Sequence, residues 1–221
     1  MLRLVFIIAA LWMSASAATA GAWLRGEGSG FLSLGATARH DGAQWLREFA
    51  VYADYGLRPR LSVGLDLNDS PGAAGHALVF VRLPIIADDR PFKLATELAI
   101  GGHHQSNQWF GMLKASLAYG RGFESKWGAG WLAVETAVER RFGAADPIFK
   151  LDANIGLSQG SGPRPLFKIE TAYIPGKPLL WAVSPALMFD TPNGNTWVVG
   201  LEHRNDGTPK YGISLNYWRR F

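Results

Sequence analysis

Apolar and polar residues alternate along most of this chain with a period of two. The clearest segments are 60–68, 132–139, 167–173 and 211–221. In the first of these, Leu or Val stands at every second position, with polar residues or Gly between them. Because successive side chains of a strand point to opposite faces, this pattern predicts β-strands with one apolar and one polar face.

Turn-forming residues separate the alternating segments. Clusters rich in Gly, Pro, Asn and Asp occur at 58–59, 68–75, 88–91, 143–147, 160–165, 175–178, 192–195 and 205–209. They divide the chain into about twelve strands, with ten as the alternative, and no helical pattern lies between them for a parallel crossover. We therefore predict an all-β, antiparallel fold in a single domain.

The first twenty residues form a separate segment. A short positive end at Arg3 precedes the apolar run 4–13, and Ala18 and Ala20 occupy the −3 and −1 positions of a signal-peptidase site. We expect residues 1–20 to be a cleaved secretory signal rather than an uncleaved anchor. The domain 21–221 then has 221 − 20 = 201 residues, and loss of Arg3 changes the net charge from +4 to +3.

Composition excludes several classes of protein. A chain that is 48% hydrophobic and 18% charged is not disordered, and the absence of Cys excludes disulfides and thiol chemistry. The basic residues are scattered among acids, so we expect no nucleic-acid partner. We also expect no cofactor and no metal, because His103 and His104 are adjacent and point to opposite faces, with no evident third ligand.

Two architectures fit a secreted antiparallel chain, a soluble sandwich and a transmembrane β-barrel. The barrel is favoured because the polar face carries Gly, Ala and Ser as well as charges, as a confined lumen requires. The alternation also runs to the last residue. Aromatic residues fall near strand ends, as at the two rims of such barrels: Trp45, Phe92, Trp109, Trp131, Trp181, Trp197 and Trp218.

The last eleven residues, YGISLNYWRRF, resemble the closing strand of Gram-negative outer-membrane β-barrels, in which alternating apolar residues precede a terminal Phe. The resemblance implies an outer-membrane location and contact with lipid and lipopolysaccharide. It also implies recognition by the barrel-assembly machinery through Tyr211, Ile213, Leu215, Tyr217 and Phe221. Arg219 departs from the pattern, although Arg near a membrane edge can snorkel. Residues 55–67 resemble one hairpin of small barrels related to phenol-pathway transporters.

A twelve-strand barrel places both ends of the domain on the periplasmic side. With a first strand at about 31–39, short extracellular connections fall near 40–46, 68–75, 102–108, 142–147, 174–178 and 204–209. The alternation then predicts these charged side chains in the lumen: Arg82, Lys93, Glu97, Lys114, Glu135, Lys150, Asp152, Lys168, Glu170 and Glu202. They suit a narrow polar pore and, equally, a salt-bridge network that fills the barrel.

One short segment carries candidate chemistry. His104-Gln105-Ser106-Asn107 resembles the His-x-Ser-Asn segment of outer-membrane phospholipase A and lipid A deacylase. The resemblance implies His104 as general base and Ser106 as nucleophile for ester cleavage. The alternation puts both side chains outward near the outer rim, but the outward positions of the next strand supply no acid or amide to orient the base.

The sequence thus predicts a Gram-negative outer-membrane β-barrel that acts as a small channel or transporter for a small solute. We expect no enzymatic activity. A lipid hydrolase and a structural barrel with a plugged lumen are the alternatives.

Overall fold

The computed structural model describes residues 21–40, 42–86, 90–158, 162–205 and 210–221. Within them the chain forms twelve strands: β1 Gly30–His40, β2 Trp45–Arg58, β3 Leu61–Ser70, β4 Ala74–Pro84, β5 Phe92–Gln105, β6 Gln108–Ser125, β7 Gly128–Arg141, β8 Ile148–Leu157, β9 Arg164–Tyr173, β10 Leu180–Asp190, β11 Thr196–Arg204 and β12 Tyr211–Arg220. No helix in the described ranges is long and apolar enough to cross a membrane.

The twelve strands form one closed barrel. Each strand pairs antiparallel with its neighbours in sequence, and β1 pairs with β12 from Phe31 opposite Arg220 to Arg39 opposite Gly212. Reciprocal backbone hydrogen bonds between Gly30 and Phe221, of 2.6 and 3.0 Å, extend this closing seam. The predicted all-β antiparallel barrel and its count of twelve are confirmed. Closure leaves no sheet edge, as a sheet in hydrocarbon requires.

Short connections join the strands at both ends of the barrel. We call the end where β1 begins and β12 ends the proximal end, and the opposite end the distal end. The six distal connections fall where the sequence predicts extracellular loops, and they are as short as the two residues 106–107 between β5 and β6. Asp41 and residues 206–209 of two distal connections lie outside the described residues, as does the predicted signal segment 1–20.

The barrel is apolar outside. On β5, Leu98 and Ile100 point outward and are 59% and 60% exposed, whereas the intervening Ala99 points inward and is 6% exposed. The same alternation runs around the sheet, so that large apolar side chains form the outer surface. A soluble sandwich would bury this face, whereas a transmembrane barrel turns it to lipid.

Two aromatic residues expected at the rims lie inside the barrel instead. Trp131 is 2% exposed and packs within an inward cluster, against which Trp218 also packs. The prediction failed because nearness to a strand end does not set the side on which a residue lies. Trp45, Trp109 and Trp197 do stand on the outer surface, with exposures of 57%, 60% and 41%.

Candidate functional site

The lumen gathers the charged side chains of many strands. The ten charged residues predicted to line it all occupy inward-facing positions of their strands: Arg82, Lys93, Glu97, Lys114, Glu135, Lys150, Asp152, Lys168, Glu170 and Glu202. Register brings several of them together, because Arg82 pairs with Glu97 across β4 and β5, and Glu135 with Asp152 across β7 and β8.

Lys114 stands at the centre of this network. Its ammonium lies 3.4 Å from Asp66, 3.6 Å from Glu97 and 3.5 Å from Glu135. These carboxylates come from β3, β5 and β7, so one cation from β6 joins strands that are not all neighbours. His76 Nε2 also lies 3.1 Å from Asp66, although a neutral imidazole adds no charge there.

A second part of the network surrounds Asp54, whose side chain is completely buried. Arg82 contacts Asp54 at 3.3 Å, forms an ion pair with Glu97 and donates a 2.7 Å hydrogen bond to the Tyr52 hydroxyl. Sequence reasoning missed Asp54 and Tyr52, although the alternation within 51–57 places both on the inward face. A buried carboxylate with two charged partners is a fixed part of the lumen wall.

Near the distal end one side of the lumen carries paired charges, Arg39, Glu48 and Glu202, which we call the distal cluster. Arg39 donates to both carboxylate oxygens of Glu202, at 2.6 and 2.9 Å, and to Glu48 at 2.8 Å. Asn68 donates a 2.8 Å hydrogen bond to the other oxygen of Glu48. Arg39 and Glu48 were not predicted to line the lumen, although their inward positions follow from the alternation. The bidentate Arg39–Glu202 contact fixes the guanidinium across the β1–β12–β11 wall.

A cavity of about 270 Å³ remains within the lumen. Its charged lining consists of five carboxylates and three cations: Asp66, Glu97, Glu135, Asp152 and Glu170, with Arg82, Lys114 and Lys168. The lining therefore has a formal charge of 3 − 5 = −2. The cavity is large enough for water and small solutes.

An apolar cluster lies toward the proximal end of the lumen, beside an ion pair in which buried Arg164 contacts Asp190 at 2.5 Å. Trp131, Ala133, Leu166, Met188 and Val198 form a buried cluster there, and Trp23, Ala186 and Trp218 pack against it. Met188 is 0% exposed and Val198 1% exposed. These residues come from β7, β9, β10, β11 and β12, together with the segment before β1, so the cluster crosses the lumen.

The first part of that segment, residues 21–25 of 21–29, enters the barrel and was not predicted from the sequence. The Arg25 guanidinium lies 2.6 Å from Asp54, and the Arg25 backbone N–H donates to Ser62 Oγ at 3.2 Å. The segment then pairs with β2, because Gly28 N–H donates to Gly56 O and Gly56 N–H donates to Ser29 O, each at 2.9 Å.

The residues of the hydrolase hypothesis lie outside the lumen at the distal end. His104 is 5% exposed, and its Nε2 atom lies 2.9 Å from Asp69 Oδ1. Asp69 occupies the place of an orienting acid, which the outward positions of β6 do not supply, because it reaches His104 from β3 across Gly75. However, His104 Nδ1 has no hydrogen-bond partner, and Ser106 lies in the β5–β6 turn with a φ of 48°. The structure therefore does not form a bonded Ser–His pair.

Potential metal ligands do not converge among the residues that the structure describes. No group of three or more His, Asp and Glu side chains there has an arrangement that would hold a metal ion.

Comparisons with known proteins agree with the barrel geometry. No protein-family profile matches the sequence, and the search of curated proteins found no match either. Among solved structures, the NanC porin matches with a TM-score of 0.60 and 11% identity over 85% of this chain and 97% of that chain. The KdgM porin matches with a TM-score of 0.61 and 8% identity over 86% and 99%. Its complex with a disordered oligogalacturonate gives 0.57 and 9% over 87% and 99%.

These similarities identify the fold. The chain has the closed, twelve-strand antiparallel architecture of porin-like outer-membrane β-barrels.

Proposed function

We propose that this protein is an outer-membrane channel for a small solute. The single observation that carries the proposal is the closed barrel that is apolar outside and charged inside, with a cavity in its lumen. The fold that it shares with the NanC and KdgM porins supports the same function. We place the proximal end, where the barrel domain begins and ends, on the periplasmic side, so that the distal end faces the cell exterior.

The lumen charge bears on the class of solute. The KdgM porin has been solved with an oligogalacturonate, which is an acidic saccharide. Here the cavity lining has a formal charge of −2, so it opposes an anion. A neutral or cationic small solute is therefore the better fit, with the solute passing between carboxylates of β3, β5, β7, β8 and β9.

Ion selectivity tests this proposal. The purified protein is placed in a planar bilayer between unequal KCl solutions, and the reversal potential is measured. Glu170→Gln removes one negative charge from the cavity lining, and Lys168→Gln removes one positive charge from the same strand. We expect cation-selective current in the wild type, a weaker preference with Glu170→Gln and a stronger one with Lys168→Gln. A preference that moves the same way in both variants would contradict a path along this cavity.

The opposite outcome has a definite interpretation. If no current passes at any voltage, even with Trp131→Ala to open the apolar cluster, the barrel is structural. The hydrolase alternative has no comparable support, because the structure lacks the contact that would activate Ser106.

Delivery to the membrane is part of the same proposal. Residues 1–20 direct secretion in a Gram-negative cell and are removed, and lipid and lipopolysaccharide surround the barrel. The closing strand β12 presents Tyr211, Ile213, Leu215, Tyr217 and the terminal Phe221 for the assembly machinery. The exposed fractions of 70%, 57% and 46% at Tyr211, Ile213 and Leu215 support an accessible signal. Phe221→Ala should lower the amount of protein assembled in the outer membrane, as measured by resistance of the folded barrel to heating in detergent.

A further inference from the structure

The segment 21–29, which we call the plug segment, belongs to no strand of the barrel, and its first five residues enter the lumen. Ala22 and Arg25 are only 2% and 8% exposed. The Arg25 guanidinium also stacks over the Phe31 ring, 4.7 Å from its centroid. Together with the Asp54 ion pair and the hydrogen bonds to Ser62 and Gly56, these contacts hold the segment in a defined position.

The barrel wall has two glycines that accommodate the plug segment. A Cβ atom at Gly120 on β6 would overlap the Trp23 ring and lie 2.8 Å from Ala22 Cβ. A Cβ atom at Gly56 on β2 would overlap the backbone carbonyl of Gly26. Each glycine therefore permits a close approach that any other residue would prevent. The fit involves two separate parts of the wall, so the segment and the wall are shaped for each other.

The plug segment begins beside a carboxylate. A Cβ atom at Gly21 would lie 2.8 Å from Glu135 Oε2 and 3.1 Å from Ala118 Cβ. The Cβ and N atoms of one residue are roughly 2.5 Å apart, so the Gly21 nitrogen is within about 5 Å of that oxygen. Cleavage after Ala20 would turn this nitrogen into an α-amino group, which is mostly protonated at neutral pH.

The charges around this position favour one more cation. Ion pairs join four carboxylates to three basic side chains: Asp54, Asp66, Glu97 and Glu135 with Arg25, Arg82 and Lys114. The formal charge of this group is 3 − 4 = −1 when His76 is neutral. An α-ammonium at Gly21 brings this group to zero. Gly21 also lines the cavity, so the formal charge of the cavity lining changes from −2 to −1 and still favours a cation.

From this geometry we propose that signal-peptide cleavage creates the ligand for a built-in plug. The Gly21 α-ammonium pairs with Glu135, Trp23 packs into the proximal cluster, and Arg25 pairs with Asp54. The plug segment thereby closes the periplasmic end of the lumen, and its displacement opens the channel. The proposal rests on the proposed channel function, since a plug has an effect only where solute would otherwise pass.

The reactivity of the α-amine tests the pairing independently of transport. The mature protein is labelled with an amine reagent near pH 7, and the modified peptides are measured by mass spectrometry. We expect Gly21 as the first residue, with labelling on the order of tenfold slower in the folded barrel than in the unfolded chain. Exposed Lys126 serves as the internal reference. Glu135→Gln should speed labelling, whereas Glu170→Gln, the same change elsewhere in the cavity, should not. A different first residue, or equal rates in folded and unfolded protein, would overturn the proposal.

Single-channel recording tests the closure. The double variant Trp23→Ala, Arg25→Ala removes the aromatic and ionic anchors of the plug segment. Gly120→Leu displaces Trp23 from the wall side and leaves the sequence of the plug segment unchanged. Both variants should raise the mean conductance several-fold over wild type, and Lys126→Ala in a proximal turn should leave it unchanged. If wild type and both variants conduct equally, the plug is wrong and the channel stands. If none of them conducts, and Trp131→Ala does not either, the channel function itself is wrong.

Discussion

The distal and proximal ends of the lumen are built from different interactions. At the distal end, ion pairs join Arg39 to Glu48 and Glu202 and hold this distal cluster against the barrel wall. At the proximal end, Trp131, Met188 and Trp23 pack across the lumen, beside the Arg164–Asp190 ion pair. Paired charges leave space that water can enter, whereas close apolar packing excludes water. In the proposed channel, the proximal cluster is the barrier to solute.

The largest expected loss of stability comes from breaking the ion pairs that Asp54 forms with Arg25 and Arg82. Asp54→Asn should lower the free energy of unfolding by about 3–5 kcal/mol, because two buried guanidinium groups lose the carboxylate that they share and only Arg82 retains a second acid, Glu97. Guanidinium unfolding of the protein in micelles, followed by Trp fluorescence, measures this change. Glu202→Gln at the distal end is the matched control, since Arg39 retains Glu48, and its effect should be smaller. Equal losses would mean that the two ends do not differ in this way.

A charge on the outer surface provides a calibration from outside the lumen. Leu98→Arg should destabilise the barrel in lipid by about 2–4 kcal/mol, because this outward position lies in the middle of β5. Tyr211→Arg at the distal start of β12 should cost only about 0–1 kcal/mol, since charge is tolerated near an interface. The two variants are compared by unfolding in vesicles. If position along the barrel made no difference, the outer face would not be a lipid-facing belt.

The smallest expected effect comes from a conservative substitution in the distal cluster. Arg39→Lys keeps the charge but loses the bidentate contact with Glu202, so the unfolding free energy should fall by about 1–2 kcal/mol. Conductance should change little, because the distal cluster lies against the barrel wall and away from the proximal cluster. A large increase in conductance with Arg39→Lys would move the barrier to the distal end and reverse the comparison.

Much of this architecture could be predicted from the sequence, because the period of two fixes strand faces once turns are located. This is why twelve strands were predicted correctly, and why the charges of β4 to β9 and Glu202 were assigned inward positions. The same rule also gives inward positions to Asp54 on β2 and to Arg39 at the end of β1.

Other features depend on information that alternation does not contain. Trp131 and Trp218 were assigned to the rims by their nearness to strand ends, although the lumen needed large side chains to fill it. The Asp69–His104 contact spans three strands and requires the register. The plug segment has no alternation, so nothing in its sequence shows that Gly56 and Gly120 leave room for it.

The most direct test of solute passage through the lumen compares two neighbouring residues of β7 that point to opposite faces. Trp131 lies in the lumen at the proximal cluster, and Leu132 lies on the outer surface. Single-channel conductance is measured for Trp131→Ala and Leu132→Ala in the same bilayer. We expect a several-fold larger conductance for Trp131→Ala than for the wild type, and a wild-type value for Leu132→Ala. Equal conductance in the two variants and the wild type would show that the lumen, as described, is not the path of a solute.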